Sequence, residues 1–157
     1  MGGHTDWMAD EGGEMNFIPI MLAVALAGAG TIETETEAPY SENDLYILSH
    51  IISAEAGNCG EEMLIGCGSV VLNRVADERF PDTIEEVVFQ SGQYAPTWNG
   101  TYYNEPTEEA VEVAEMLLEE GSQYPADVVW QSNAIQGEIY KAIDPPPGIG
   151  SRMYFCK

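Results

Sequence analysis

Positive charge is what this chain has least of. Its 157 residues carry five Lys and Arg against 27 Asp and Glu, a formal net charge of −22. No positive field is available to hold phosphates, so nucleic acid is not expected as a partner, and adhesion to anionic membranes is disfavoured for the same reason. A neutral polymer or a cationic partner is tolerated. Histidine and cysteine are scarce as well, with two of the first and three of the second. They show no CxxC, HxH or HExxH spacing, so no metal site is expected, and no cofactor. Cys59, Cys67 and Cys156 allow at most one disulfide. Cys59 with Cys156 is the preferred pair, because Cys67 falls in the middle of a buried helix. Three reduced thiols are the alternative.

Long apolar runs are nearly absent too. The one that stands out, "FIPIMLAVALAGAG" at 17–30, has 14 residues. That is short for a membrane span and closer to the apolar core of a secretory signal, with Ala25, Ala27 and Ala29 offering A-x-A cleavage patterns. Two things count against export: no Lys or Arg precedes it, and fourteen residues precede Met15, an objection that translation from Met15 would remove. A short buried or membrane-associated helix is the other reading. The following "TIETETEAP" has the composition of a linker and separates residues 1–40 from a domain at 41–157. A secreted or cell-envelope protein is the expectation, and a monomer.

The domain itself has what a core needs, in a chain 45% apolar and 10% aromatic. "SEND" opens a helix with Ser41 as N-cap and Asp44 three residues on, a capping-box variant. Leu45, Leu48, Ile52 and Glu55 then lie along one face, and Gly57 closes the helix as a C′ residue. A second helix over 61–76, with Met63, Leu64, Cys67, Val70, Val71 and Val75, has few polar interruptions and is expected at the centre. A short helix capped by Asp82 or Thr83 follows, then an amphipathic one from Thr107 to Gly121 whose glutamates form a solvated face. Two strand-like pieces at 127–131 and 152–156 flank the loop "DPPPGIG". The expected fold class is α+β, dominated by helices.

Glu55 interrupts this pattern. It shares a face with Leu48, Ile51 and Ile52, where partial burial favours the neutral carboxyl, and it occupies the last helical turn, where the dipole's negative end repels an anion. Both raise its pKa towards the range of about 6–7 that suits a general acid near neutral pH. A solvent-exposed glutamate at a frayed helix end is the simpler alternative, and periodicity alone does not separate the two.

The surrounding motifs do. Glu55-Ala56 after an apolar helix, "GSVVLNRV" with Asn73-Arg74, "FPDTIEEV" from Phe80 to Val87, and Gly92-Gln93-Tyr94 occur in the order found in the SleB/CwlJ-type cell wall hydrolase family. The later "PADVVWQ" and the terminal "MYFC" resemble the ends of its short members. The resemblance runs over roughly residues 43–156. It implies a lysozyme-like, lytic-transglycosylase-related single domain, with Glu55 as catalytic acid/base and peptidoglycan glycan strands as substrate. Gln93 and Tyr94 are implied as substrate-binding; Trp98, Asn73 and Tyr154 join them as candidates by residue type and position. For Asn73-Arg74 one reading is a pair that caps or orients the catalytic region by hydrogen bonds; for Arg74 an internal salt bridge is the preferred expectation. Pro96-Thr97-Trp98 stands where short members often carry a cysteine before Thr-Trp, which weakens a disulfide inferred from the family.

One carboxylate suffices for lytic transglycosylation between MurNAc and GlcNAc, because the muramyl C6 hydroxyl supplies the nucleophile. Muramidase-type hydrolysis needs a second carboxyl group, and none is plain in the nearby sequence. The other classes are a non-catalytic peptidoglycan-binding module and an interaction protein using its acidic helix.

Overall fold

A computed structural model of the chain describes residues 38–157; the apolar run at 17–30 lies outside them. Helix α1 spans Glu42–Ala56. Both halves of its capping box form: the Asp44 N–H donates to Ser41 Oγ at 3.1 Å, and the Ser41 N–H to Asp44 Oδ2 at 3.3 Å. Gly57 ends the helix, but with a right-handed φ of −55° rather than the left-handed C′ geometry expected. The left-handed residue of this turn is Gly60, with φ of 90°, which serves as N-cap of the next helix.

Helix α2, Glu61–Val75, is the central element, with Met63, Leu64, Cys67, Val70 and Val71 in the core. Helix α3, Ile84–Val88, is capped by Thr83, whose Oγ1 accepts from the Glu86 N–H at 3.2 Å. A short helix α4, Pro96–Asn99, and a 3-10 turn at Thr101–Tyr103 follow. Helix α5, Glu108–Glu120, buries Ala110, Val113, Ala114 and Leu117 and turns its glutamates outward. Its start is tied to α1 where the Thr107 N–H donates to Ser53 Oγ at 3.0 Å.

The sheet differs from the expectation of two strands. It has three: β1 at Trp130–Ser132, β2 at Ile139–Ile143 and β3 at Met153–Cys156, all antiparallel in the order β1-β3-β2. Strand β2 lies on an edge with mostly exposed side chains, so "IYKAI" lacks the apolar/polar alternation that marks a half-buried strand. Phe155 of β3 is fully buried against α2 and joins the sheet to the helical core.

No disulfide forms among Cys59, Cys67 and Cys156, so the preferred Cys59–Cys156 pair is not made. Cys156 sits on β3 opposite Trp130 and Ile139, while Cys59 follows α1 and lies near the buried Cys67. Among the described residues, no helix is long and apolar enough to cross a membrane.

Candidate active site

The end of α1, the start of α2, the loop before α4 and one end of the sheet enclose a cleft of about 460 Å³. Glu55 enters it from α1, Met63 from α2, Gln93 from the loop, Gln131 and Ser132 from β1, and Ser151 from the segment before β3. Glu55 is the sole carboxylate among the described residues lining it.

The Glu55 carboxyl is partly buried, and that burial pushes its pKa above the ordinary glutamate value. The nearby positive charge of Arg74 acts in the opposite direction and is the weaker of the two. No basic residue occupies the last turn of α1 to offset the helix dipole.

Arg74 does not form the salt bridge expected of it. The chain's four other basic residues each pair with a carboxylate: Arg79 with Asp77, Lys141 with Glu62, Arg152 with Asp144 and Lys157 with Asp127. Arg74 is 3% exposed, and its guanidinium is held by oxygens and aromatic faces instead. Nε donates to the Val129 carbonyl at 2.8 Å and Nη1 to Gln93 Oε1 at 3.1 Å. The rings of Phe80, Tyr94 and Trp130 lie 5.1, 5.3 and 5.4 Å from Cζ.

Of the residues singled out from the sequence, the structure brings Glu55 and Gln93 into one cleft. Tyr94 is adjacent to Gln93 but buried, packed on Arg74 beneath the cleft rather than facing it. Trp98 stands exposed on α4, outside the cleft lining. Asn73 is also outside it. It lies ten residues beyond Met63, about 15 Å along α2 at the helical rise, and its Nδ2 donates to the carbonyls of Pro125 and Val128 at 2.8 and 2.9 Å. Tyr154 is one residue past Met153, which lines the cleft, so strand alternation sends it to the opposite face.

Gln131, Ser132 and Ser151 are cleft residues that the sequence reading missed. They carry no local signal, because only sheet pairing brings them opposite Glu55. A larger hollow of about 560 Å³ lies at the far end of α2, around Asn73 and the Asp77–Arg79 pair. Its carboxylate–guanidinium pair is already satisfied, and Asp77 is held at about 2 by Arg79, so it has no proton to give near neutral pH. Among the described residues, no group of three or more His, Cys, Asp or Glu is placed to hold a metal ion.

A mainly helical domain with a small sheet beside it, and a lone, partly buried carboxyl in the cleft between them, defines a class. Residues 60–136 match the Cell Wall Hydrolase family. The match over residues 60–136 bears out the resemblance to SleB/CwlJ-type cell wall hydrolases carried by the motifs. The matched span begins after Glu55, so the assignment of that residue rests on the cleft.

Among curated proteins, the chain is 29% identical over 83 residues to a spore cortex-lytic enzyme of Oceanobacillus iheyensis, covering 53% of this chain and 30% of that one. It is 32% identical over 73 residues to a spore cortex-lytic enzyme of Bacillus cereus, covering 45% and 27%. The matched segment thus spans about 30% of the length of these relatives. Among solved structures, the catalytic domain of the Bacillus cereus SleB protein superposes with a TM-score of 0.58 at 24% identity, covering 75% of this chain and 92% of that one. The catalytic domain of the germination-specific lytic transglycosylase SleB from Bacillus anthracis superposes equally well, over 75% and 97%. The chain therefore has the lytic-transglycosylase-like fold of the SleB catalytic domains.

Proposed function

We propose that this chain cleaves peptidoglycan glycan strands between MurNAc and GlcNAc by lytic transglycosylation, with Glu55 as the single acid/base. The observation that carries this reading is that, among the described residues, Glu55 is the one carboxylate lining the cleft and has a raised pKa. Glu55 in its acid form protonates the glycosidic oxygen as the C1–O bond breaks. The resulting carboxylate takes the proton from the muramyl C6 hydroxyl as that oxygen closes on C1, giving a 1,6-anhydro product and restoring the acid. The substrate supplies the nucleophile, so effective molarity replaces a second protein group.

The neighbouring acids support the same reading. Glu62 pairs with Lys141, and Glu61 faces a separate hollow with Glu109 and Glu112. Hydrolysis with inversion would call for a second carboxyl about 6.5–9.5 Å away across the cleft. The domain at 41–157 acts as a monomer on the wall, outside the cell or in its envelope, with Gln93 touching substrate.

Mass spectrometry of soluble muropeptides, released by the full chain and by Glu55→Gln, tests this. Anhydro-muramyl fragments that disappear in the variant are expected. Reducing-end products would establish hydrolysis instead. Binding to insoluble wall with no glutamate-dependent fragments would make the domain a binding module.

A further inference from the structure

Gln93 reaches the cleft from the loop between α3 and α4, and its amide is not free to turn over. A guanidinium carries donors only, so the amide must present its oxygen to Arg74, as it does at 3.1 Å. The Nε2 end therefore faces away from Arg74, and its two N–H groups make no hydrogen bond to any described residue. Arg74 cannot follow a rotating Gln93, because its own Nε is bonded to Val129 and three aromatic rings surround Cζ. An exposed amide that would otherwise offer either end to a ligand is thus set as a donor, beside Glu55 in the same cavity.

We propose that Arg74 acts as a positioning residue that makes Gln93 an obligate hydrogen-bond donor, and that the pair selects glycan carrying N-acetyl groups over de-N-acetylated glycan. This rests on the glycan-strand reading of the cleft and names the substituent that it recognises. An acetamido carbonyl is a neutral acceptor and takes the Nε2 hydrogen bond. Removing the acetyl group leaves an ammonium, which has donors only and would meet a donor backed by a buried cation. Sugar hydroxyls accept too, but they are present in both forms and do not discriminate. The chain's net charge of −22 attracts an aminoglycan at long range. Salt screens that attraction beyond a few ångströms while leaving the contact at Gln93 in place, so the preference is clearest at high ionic strength.

The test uses the full chain at high salt on one peptidoglycan preparation in three forms: as isolated, chemically de-N-acetylated, and re-N-acetylated. The wild type is expected to favour both acetylated forms by about tenfold in initial rate, the effect of one unmade hydrogen bond. Gln93→Leu should slow cleavage of acetylated glycan and bring the ratio near one. Gln93→Glu, which removes the N–H donors and adds an acceptor, should lower the ratio further. Arg74→Met, which frees the amide to flip, should reduce the ratio more than it reduces the rate on acetylated glycan. A wild-type ratio near one overturns the inference, as does a ratio unchanged in both Gln93 variants, which alter an exposed side chain. If no form yields Glu55-dependent fragments, the glycan reading itself fails and takes this inference with it.

Discussion

Gly66 of α2 lies so close to Phe155 of β3 that a Cβ built on it would stand 2.5 Å from Cζ of the buried ring and 2.9 Å from the Tyr124 hydroxyl. The helix and the sheet, both of which contribute to the cleft lining, meet at this point. Gly66→Ala must push a fully buried aromatic ring, and overpacking of that kind costs about 1–3 kcal/mol. Thermal or denaturant unfolding should show that loss. Gly68→Ala should cost less, because the atom it meets first is the terminal Cδ1 of Leu117, which can rotate away. Equal losses for the two variants would mean that the helix–sheet contact yields more readily than its packing implies.

Asn73 shows how a conspicuous polar residue can serve the fold alone. It is 4% exposed and holds two carbonyls of the segment that leads into β1. Asn73→Ala leaves the Val128 carbonyl without its donor, while Pro125 keeps the Val128 N–H, and should cost about 1–3 kcal/mol. Its KM for glycan should stay at the wild-type value at temperatures where the variant is folded. A raised KM with unchanged stability would place Asn73 at the substrate after all.

Under the proposed mechanism, the raised pKa of Glu55 links catalysis to stability. A carboxyl whose folded pKa lies above its unfolded value near 4.5 contributes stability that is fully present below that value and is lost as pH rises through the folded one. Glu55→Gln removes this penalty, so the variant should melt higher than the wild type at neutral pH, with the difference closing as the pH falls below about 4. Melting curves at several pH values measure it. The charge of Arg74 holds the pKa down, so in Arg74→Met the basic limb of the pH dependence of kcat/KM should move upward.

Salt should stabilise this chain. The Debye length falls from about 10 Å at 0.1 M to about 3 Å at 1 M, which screens the repulsion among an excess of acids. The four ion pairs lose strength too, but they are exposed on one or both partners, where solvent already screens them, and each contributes little. A melting temperature that rises between low and high sodium chloride is expected. A fall would mean that the ion pairs outweigh the net charge.

Helix starts were legible in the sequence because their signals are local. The Ser41–Asp44 box and the start at Thr107 each act within four residues and formed as expected, and of Asp82 and Thr83 it is Thr83 that caps α3. Glu55 was legible for the same reason: an acidic residue on an apolar helical face stands out at short range. Strand β2 was not, since an exposed edge strand is stabilised by its partner rather than by its own pattern.

The sequence by itself determined the main helices, the odd carboxylate and the order of motifs shared with the cell wall hydrolase family. Only the tertiary structure decided which groups share the cleft with Glu55. Residues up to about a hundred positions away, such as Ser151, reach it through sheet pairing that no local spacing encodes. Side-chain parity in β3 turned Met153 inward and Tyr154 away, and burial put Arg74 among aromatic rings and carbonyls instead of beside an acid. A helix is settled by neighbours within a turn. A site is settled by whichever faces the packed core leaves turned toward one another.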